Sequence, residues 1–195
     1  MRKLILVLFT GLLALPALAV AGPPPTVADT AAAVKQCSTE RTAMGVPAFR
    51  LLYGTNADKS NAFGKCVSKL ARQNAQNRAN ASAQCTTERT ADATAFAAKY
   101  GIGPNHRNAF GRCVSATAKA AATAQVHATV NASKACWTER QADPAAFKAK
   151  YGTNANKSNA FGKCVSGKVK QSSFYESKPE VTRREAITPL SGLSC

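Results

Sequence analysis

One phrase, written three times and bracketed each time by cysteines, constrains this chain more than any other feature. In its last copy it opens on Cys136-Trp137-Thr138-Glu139-Arg140, passes through Phe147 and Tyr151-Gly152, and closes on Asn159-Ala160-Phe161-Gly162-Lys163-Cys164. The first copy runs from Cys37 through Phe49 and Tyr53-Gly54 to Cys66, and the second from Cys85 through Phe96 and Tyr100-Gly101 to Cys113. Of the 7 cysteines, only Cys195 stands outside the copies.

The chain begins as exported proteins do. Met1-Arg2-Lys3 is a charged start, Leu4 to Leu15 an apolar stretch, and Ala17-Leu18-Ala19-Val20-Ala21 offers cleavage after Ala21 or Ala19. The apolar run falls short of the ~20 residues of a membrane span and meets Pro16. Export turns the six bracketing cysteines into expected disulfides. The cysteines of a copy stand about 28 residues apart, whereas zinc sites need close pairs of Cys or His. His106 and His127 lie outside the repeat pattern, so no metal and no cofactor is expected.

Local signals divide the chain into a leader at 1–21, a proline-rich segment at 22–26, and modules at 27–78, 79–125 and 126–171. An irregular tail at 172–195 follows. Each copy reads as a helix end, a short helix and a helix start. Thr26 or Asp29 is placed to cap the first helix, and Asp92 and Asp143 the later short ones. Gly54, Gly101 and Gly152 stop the short helices, where a left-handed cap is the usual role of glycine. Ser60 or Asn61, Asn108, and Ser158 or Asn159 then start new helices. From Asn61 to about Ala91 and from Asn108 to about Ala142 there is no proline, which predicts two helices of roughly 30 to 35 residues shared between modules. A last helix is expected from Asn159 to about Gln171.

The fold class is therefore all-α: three helical hairpins, each stapled by one disulfide and joined by long shared helices. Pairing within a copy is the simplest of the connectivities six cysteines allow. Cys66 cannot reach Cys85, since one rigid helix holds them ~28 Å apart. Phe63, Cys66, Val67 and Leu70 share one helix face, and Phe110, Cys113, Val114 and Phe161, Cys164, Val165 repeat it. Phe49, Phe96, Phe147 and the three tyrosines complete the expected cores. Gly64, Gly111 and Gly162 recur inside helices, which suggests a close neighbour there. The angular offset between successive cysteines, ~100° and ~140°, places modules on different sides of the shared helices and predicts an elongated array.

No catalytic arrangement emerges. Glu40, Glu88 and Glu139 have no carboxylate partner, and a structural salt bridge to Lys65, Arg112 and Lys163, or to the adjacent Arg41, Arg89 and Arg140, is expected instead. The Asn56 to Ser60 loop resembles half a calcium loop but has Val67 where the last ligand would stand. Trp137, unique to its copy, reads as a packing residue. Net charge is +16, from 26 Lys and Arg against 10 Asp and Glu. Such an excess either solvates a surface or attracts anionic polymers. The bases gather in three patches: Lys59, Lys65, Lys69 and Arg72; Arg107, Arg112 and Lys119; and Lys157, Lys163, Lys168 and Lys170. With the aromatic rings assigned to cores, any contact with nucleic acid would be sequence-independent.

The phrase Cys-x-Thr-Glu-Arg, Tyr-Gly-Thr-Asn, Asn-Ala-Phe-Gly-Lys-Cys-Val-Ser resembles repeats of uncharacterised secreted bacterial proteins. The resemblance spans residues ~30 to 170, and the middle copy departs from it at Ile102-Gly103. It implies export and repetition, and brings no activity or site residue. The expected function is a secreted, non-catalytic protein that contacts an anionic polymer, either an envelope component or extracellular nucleic acid. A spacer or adhesin-like rod without a ligand is the alternative, and a hydrolase or toxin the third. No small-molecule substrate is expected, and Cys195 offers either a free thiol or a disulfide-linked dimer.

Overall fold

The computed structural model describes residues 22–176; the leader and Cys195 lie outside them. Seven helices follow in order: α1 (Val27–Met44), α2 (Val46–Tyr53), α3 (Ala62–Ala91), α4 (Ala93–Tyr100), α5 (Ala109–Ala142), α6 (Pro144–Tyr151) and α7 (Ala160–Glu176). The described residues contain no strand. At 1.5 Å per residue α3 is ~45 Å long and α5 ~51 Å, the two long shared helices anticipated from their proline-free sequences. The last helix runs past Gln171 to Glu176, into the segment expected to be irregular. Between Gln171 and Pro179 the sequence has no proline or glycine.

Capping follows the local chemistry in part. Thr26 and Asp29 form a reciprocal box: Asp29 N donates to Thr26 Oγ1 at 3.2 Å and Thr26 N to Asp29 Oδ2 at 2.8 Å. Asp92 Oδ1 accepts from Ala95 N, and Asp143 Oδ1 from Ala145 N and Ala146 N. Asn61, Asn108 and Asn159 stand at helix starts without capping them. Their carboxamide oxygens accept instead from Thr55 N, Ile102 N and Thr153 N, closing the loop back on itself.

The glycines that end the short helices correct a second expectation. Gly54, Gly101 and Gly152 are extended, with φ of −69°, −75° and −75°, so left-handed geometry is not their role. What they supply is room. A Cβ on Gly54 would lie 2.6 Å from Lys59 Cβ, one on Gly101 2.5 Å from His106 Cβ, and one on Gly152 2.7 Å from Lys157 Cβ. The left-handed residues are those opposite partners, Lys59, His106 and Lys157. Gly64, Gly111 and Gly162 behave in the reverse way: a Cβ there meets nothing within 4 Å, so no close neighbour explains them.

The three disulfides join Cys37 to Cys66, Cys85 to Cys113 and Cys136 to Cys164, each within one copy. Three formed disulfides fit an oxidising, extracellular-type environment. They fix α1 against α3, α3 against α5 and α5 against α7, each pair antiparallel. Further along the first pair, Asn74 donates to the Asp29 carbonyl, and along the second Asn77 donates to Gln125 Oε1. Ala71, Ala75, Ala81, Ala122 and Ala132 are buried, and their small side chains let the long helices approach.

Because every corner reverses the chain, two corners return the third copy to the first. α1 touches α5, and α2 touches both α5 and α7. Phe49, Tyr53, Cys66 and Leu70 consequently share one core with Val126, Val130, Phe147 and Phe161. Cysteine phase pointed to an elongated array; here copies one and three lie side by side. The second copy stands at the opposite end around its own small core of Cys85, Phe96, Ala109 and Cys113.

Candidate functional site

The carboxylates of the repeat come first, because they decide which bases are left over. Glu88 Oε1 accepts from Lys99 Nζ at 2.7 Å and Glu88 Oε2 from the Tyr100 hydroxyl at 3.0 Å. Glu139 repeats this with Lys150 at 2.7 Å and with Tyr151. The expected bridges to Lys65, Arg112 and Lys163, or to the adjacent arginines, are not formed. The short helix, one residue before its tyrosine, supplies the cation instead. Lys99 holds the Glu88 carboxyl below its ordinary range, and Lys150 does the same for Glu139.

In the first copy that position is Leu52, and the outcome changes. Glu40 is fully buried, its Oε2 accepts from the Tyr53 hydroxyl, and its Oε1 has no hydrogen-bond partner. Burial pushes the Glu40 carboxyl up, with Tyr53 and the more distant Lys69 opposing.

Asp29, Asp58, Asp92 and Asp143 are also occupied. Asp29 accepts from Thr26 and forms an ion pair with Arg78 at 3.0 Å. Asp58 accepts from Ser60 N, and Asp92 and Asp143 cap helices. Bases therefore dominate what faces solvent.

Not all the anticipated bases are equally available. Lys59 and Lys157 donate through Nζ to the Gly54 and Gly152 carbonyls, at 3.1 and 3.0 Å, and so belong to the corner. Lys168 is half-buried, 3.8 Å from Glu139 Oε2. Lys69 lies 5.5 Å from the Tyr53 ring centre, and Arg112 Nε donates to the Tyr100 carbonyl at 3.0 Å. Lys65, Arg72, Arg107, Lys119, Lys163 and Lys170 are exposed, and among the described residues none of them forms an ion pair.

Three of the eleven anticipated residues converge. Arg107, Arg112 and Lys119 line an open groove of about 730 Å³ on α5, together with Asn108, Gly111, Ser115 and Ala116. These positions fall on one helix face. No acid borders the groove. A second trough, about 620 Å³ between α5 and α7, is lined by four alanines together with His127, Asn131, Lys168, Gln171 and Ser172. Sequence reading missed it because it depends on how two helices pack. Trp137 packs edge-on to Phe161, with Arg140 over its ring at 5.4 Å from the centre, in keeping with a packing residue.

Comparison with protein-family models, with curated proteins and with solved structures finds no match for this chain.

Proposed function

We propose that this is an exported, non-catalytic repeat protein that binds an anionic polymer through the exposed bases of its long helices. The observation that carries the reading is the α5 groove, where Arg107, Arg112 and Lys119 meet with no carboxylate among the lining residues. Its setting adds weight, since Asp29, Glu40, Asp58, Glu88, Asp92, Glu139 and Asp143 all take local partners. A surface whose acids are tied down and whose bases are not attracts polyanions, releasing their counterions on contact. The disulfides and the leader sequence both favour a location outside the cytosol.

Titrating a phosphate-bearing polymer into the oxidised protein over a salt series tests this. The logarithm of the affinity should fall linearly with the logarithm of salt concentration. Arg107→Gln with Lys119→Gln should weaken binding and flatten that slope by about two. Arg112 stays untouched in this variant because it also holds the Tyr100 carbonyl. Absence of binding at low salt would remove the reading and leave the bases as a solvated surface.

A further inference from the structure

Two sets of glycines recur in the repeat, and only one is needed by the fold. Gly54, Gly101 and Gly152 have no room for a side chain, whereas Gly64, Gly111 and Gly162 face open space. The second set sits within α3, α5 and α7, where glycine costs ~1 kcal/mol relative to alanine. Nothing inside the molecule compensates that cost.

The neighbours of these glycines recur at fixed offsets. One residue on stands a base (Lys65, Arg112, Lys163), four on a serine (Ser68, Ser115, Ser166), and eight on another base (Arg72, Lys119, Lys170). All nine of these side chains are exposed. At 100° per residue an offset of four lies ~40° round from the glycine, and offsets of eight and one lie ~80° and ~100° round on the same side. Each stripe therefore presents bare backbone bordered on one side by two cations and a hydroxyl, and no acid occurs in any of them. The stripe on α5 is the groove already described.

Resting on the polyanion reading above, we propose that Gly64, Gly111 and Gly162 floor three equivalent subsites, each taking one phosphate group of a linear phosphate polymer. A missing Cβ lets an anionic oxygen approach the helix surface more closely than any other residue would allow. The two cations neutralise it, and the serine hydroxyl donates a hydrogen bond. The polymer needs no bases. Among the described residues no aromatic ring is an exposed large hydrophobic, so their surface offers no platform on which nucleobases stack. Three weak subsites on one scaffold gain affinity when a single chain spans more than one of them.

The experiment compares four proteins, all with disulfides intact: the native chain, Gly64→Ala/Gly111→Ala/Gly162→Ala, Gly111→Ala alone, and Arg107→Gln/Lys119→Gln. Each is titrated with long-chain inorganic polyphosphate and, separately, with single-stranded DNA of equal charge. The alanine variant should melt at the same temperature as the native protein or higher. It should bind polyphosphate more weakly by roughly five-fold or more, equivalent to ~1 kcal/mol. Gly111→Ala alone should show part of that loss. Native affinity in the alanine variants, alongside weakened binding in the charge variant, would overturn the subsites while leaving the polyanion reading intact. Loss of binding by neither variant, or no native binding at low salt, would end both. A lowered melting temperature in the alanine variant would assign the glycines to the fold and overturn the proposal. Tighter native binding to DNA than to polyphosphate would overturn the assignment to a base-free polymer.

Discussion

Tyr53 donates its hydroxyl to Glu40 Oε2 at 2.5 Å, and neither residue has a cation of the short helix beside it. The same tyrosine–glutamate contact in the other copies carries Lys99 or Lys150, and there the glutamate stays half-exposed. One substitution in the repeat, Leu52 for lysine, together with the third copy leaning on the first, turns a surface ion pair into a buried acid.

That difference gives opposite pH signatures. The folded-state pKa of Glu40 is raised above 4.5 by burial, so the folded protein keeps this proton after the unfolded chain has lost it. Stability should fall as pH rises from 4.5 through the raised value. Glu88 and Glu139 are lowered, and their contributions should be present above 4.5 and fade as pH drops through the folded values. Urea denaturation of the native chain and Glu40→Gln, from below 4.5 to neutrality, isolates the first effect. The variant should lack the loss of stability on the alkaline side; parallel curves would contradict the assignment.

The second copy should be the first to open. Its core is the four residues Cys85, Phe96, Ala109 and Cys113 with partly buried Tyr100, Phe110 and Val114, while copies one and three share theirs. Replacing Cys85 and Cys113 by alanine should cost ~3 kcal/mol in the chain-entropy view. Hydrogen exchange should show loss of protection across α4 with α1 amides unchanged. Uniform loss across all helices would mean that the two ends unfold together.

Gly101→Ala and Gly152→Ala should each destabilise by ~1–3 kcal/mol, the usual range for forcing atoms into filled space. The new methyl would lie 2.6 Å from the Ala97 carbonyl oxygen in one case and 2.7 Å from that of Lys148 in the other. Thermal melts check this directly, and an unchanged melting temperature would show that the corner can widen.

Asn74 ties α3 to α1 with two hydrogen bonds from one amide, to the Asp29 carbonyl at 3.1 Å and to Gln36 Oε1 at 3.0 Å. Asn74→Ala leaves both acceptors without this donor and should cost ~1–3 kcal/mol. Denaturant midpoints at constant slope would report it. A change below experimental scatter would mean that water replaces the amide.

Much of this architecture is written locally. Asp92 and Asp143 announce their short helices, the proline-free stretches announce α3 and α5, and cysteine placement announces within-copy pairing. The return of the third copy to the first is not local, because it depends on small buried side chains such as Ala71 and Ala132 entering one core from different helices. Glu40 shows the same limit: three identical Cys-x-Thr-Glu-Arg phrases yield one buried and two half-exposed carboxylates, decided by what packs from outside the phrase. Gly54 is legible as the stop of its short helix, but the reason is room beside Lys59 and not backbone handedness. Of the basic patches, the α5 cluster survives as a convergent set, whereas Lys59 and Lys157 turn inward to carbonyls that only the folded corner creates.

The polar loops at 55–59, 102–107 and 153–157 each lie between two bonded cysteines. A protease that nicks any or all of these exposed loops therefore releases no fragment, since the severed ends stay tied through Cys37–Cys66, Cys85–Cys113 or Cys136–Cys164. Between successive rings the chain is continuous helix, the conformation proteases cut least readily. A protein so arranged can be cleaved at every corner and still migrate as one covalent molecule, falling apart only when its disulfides are reduced.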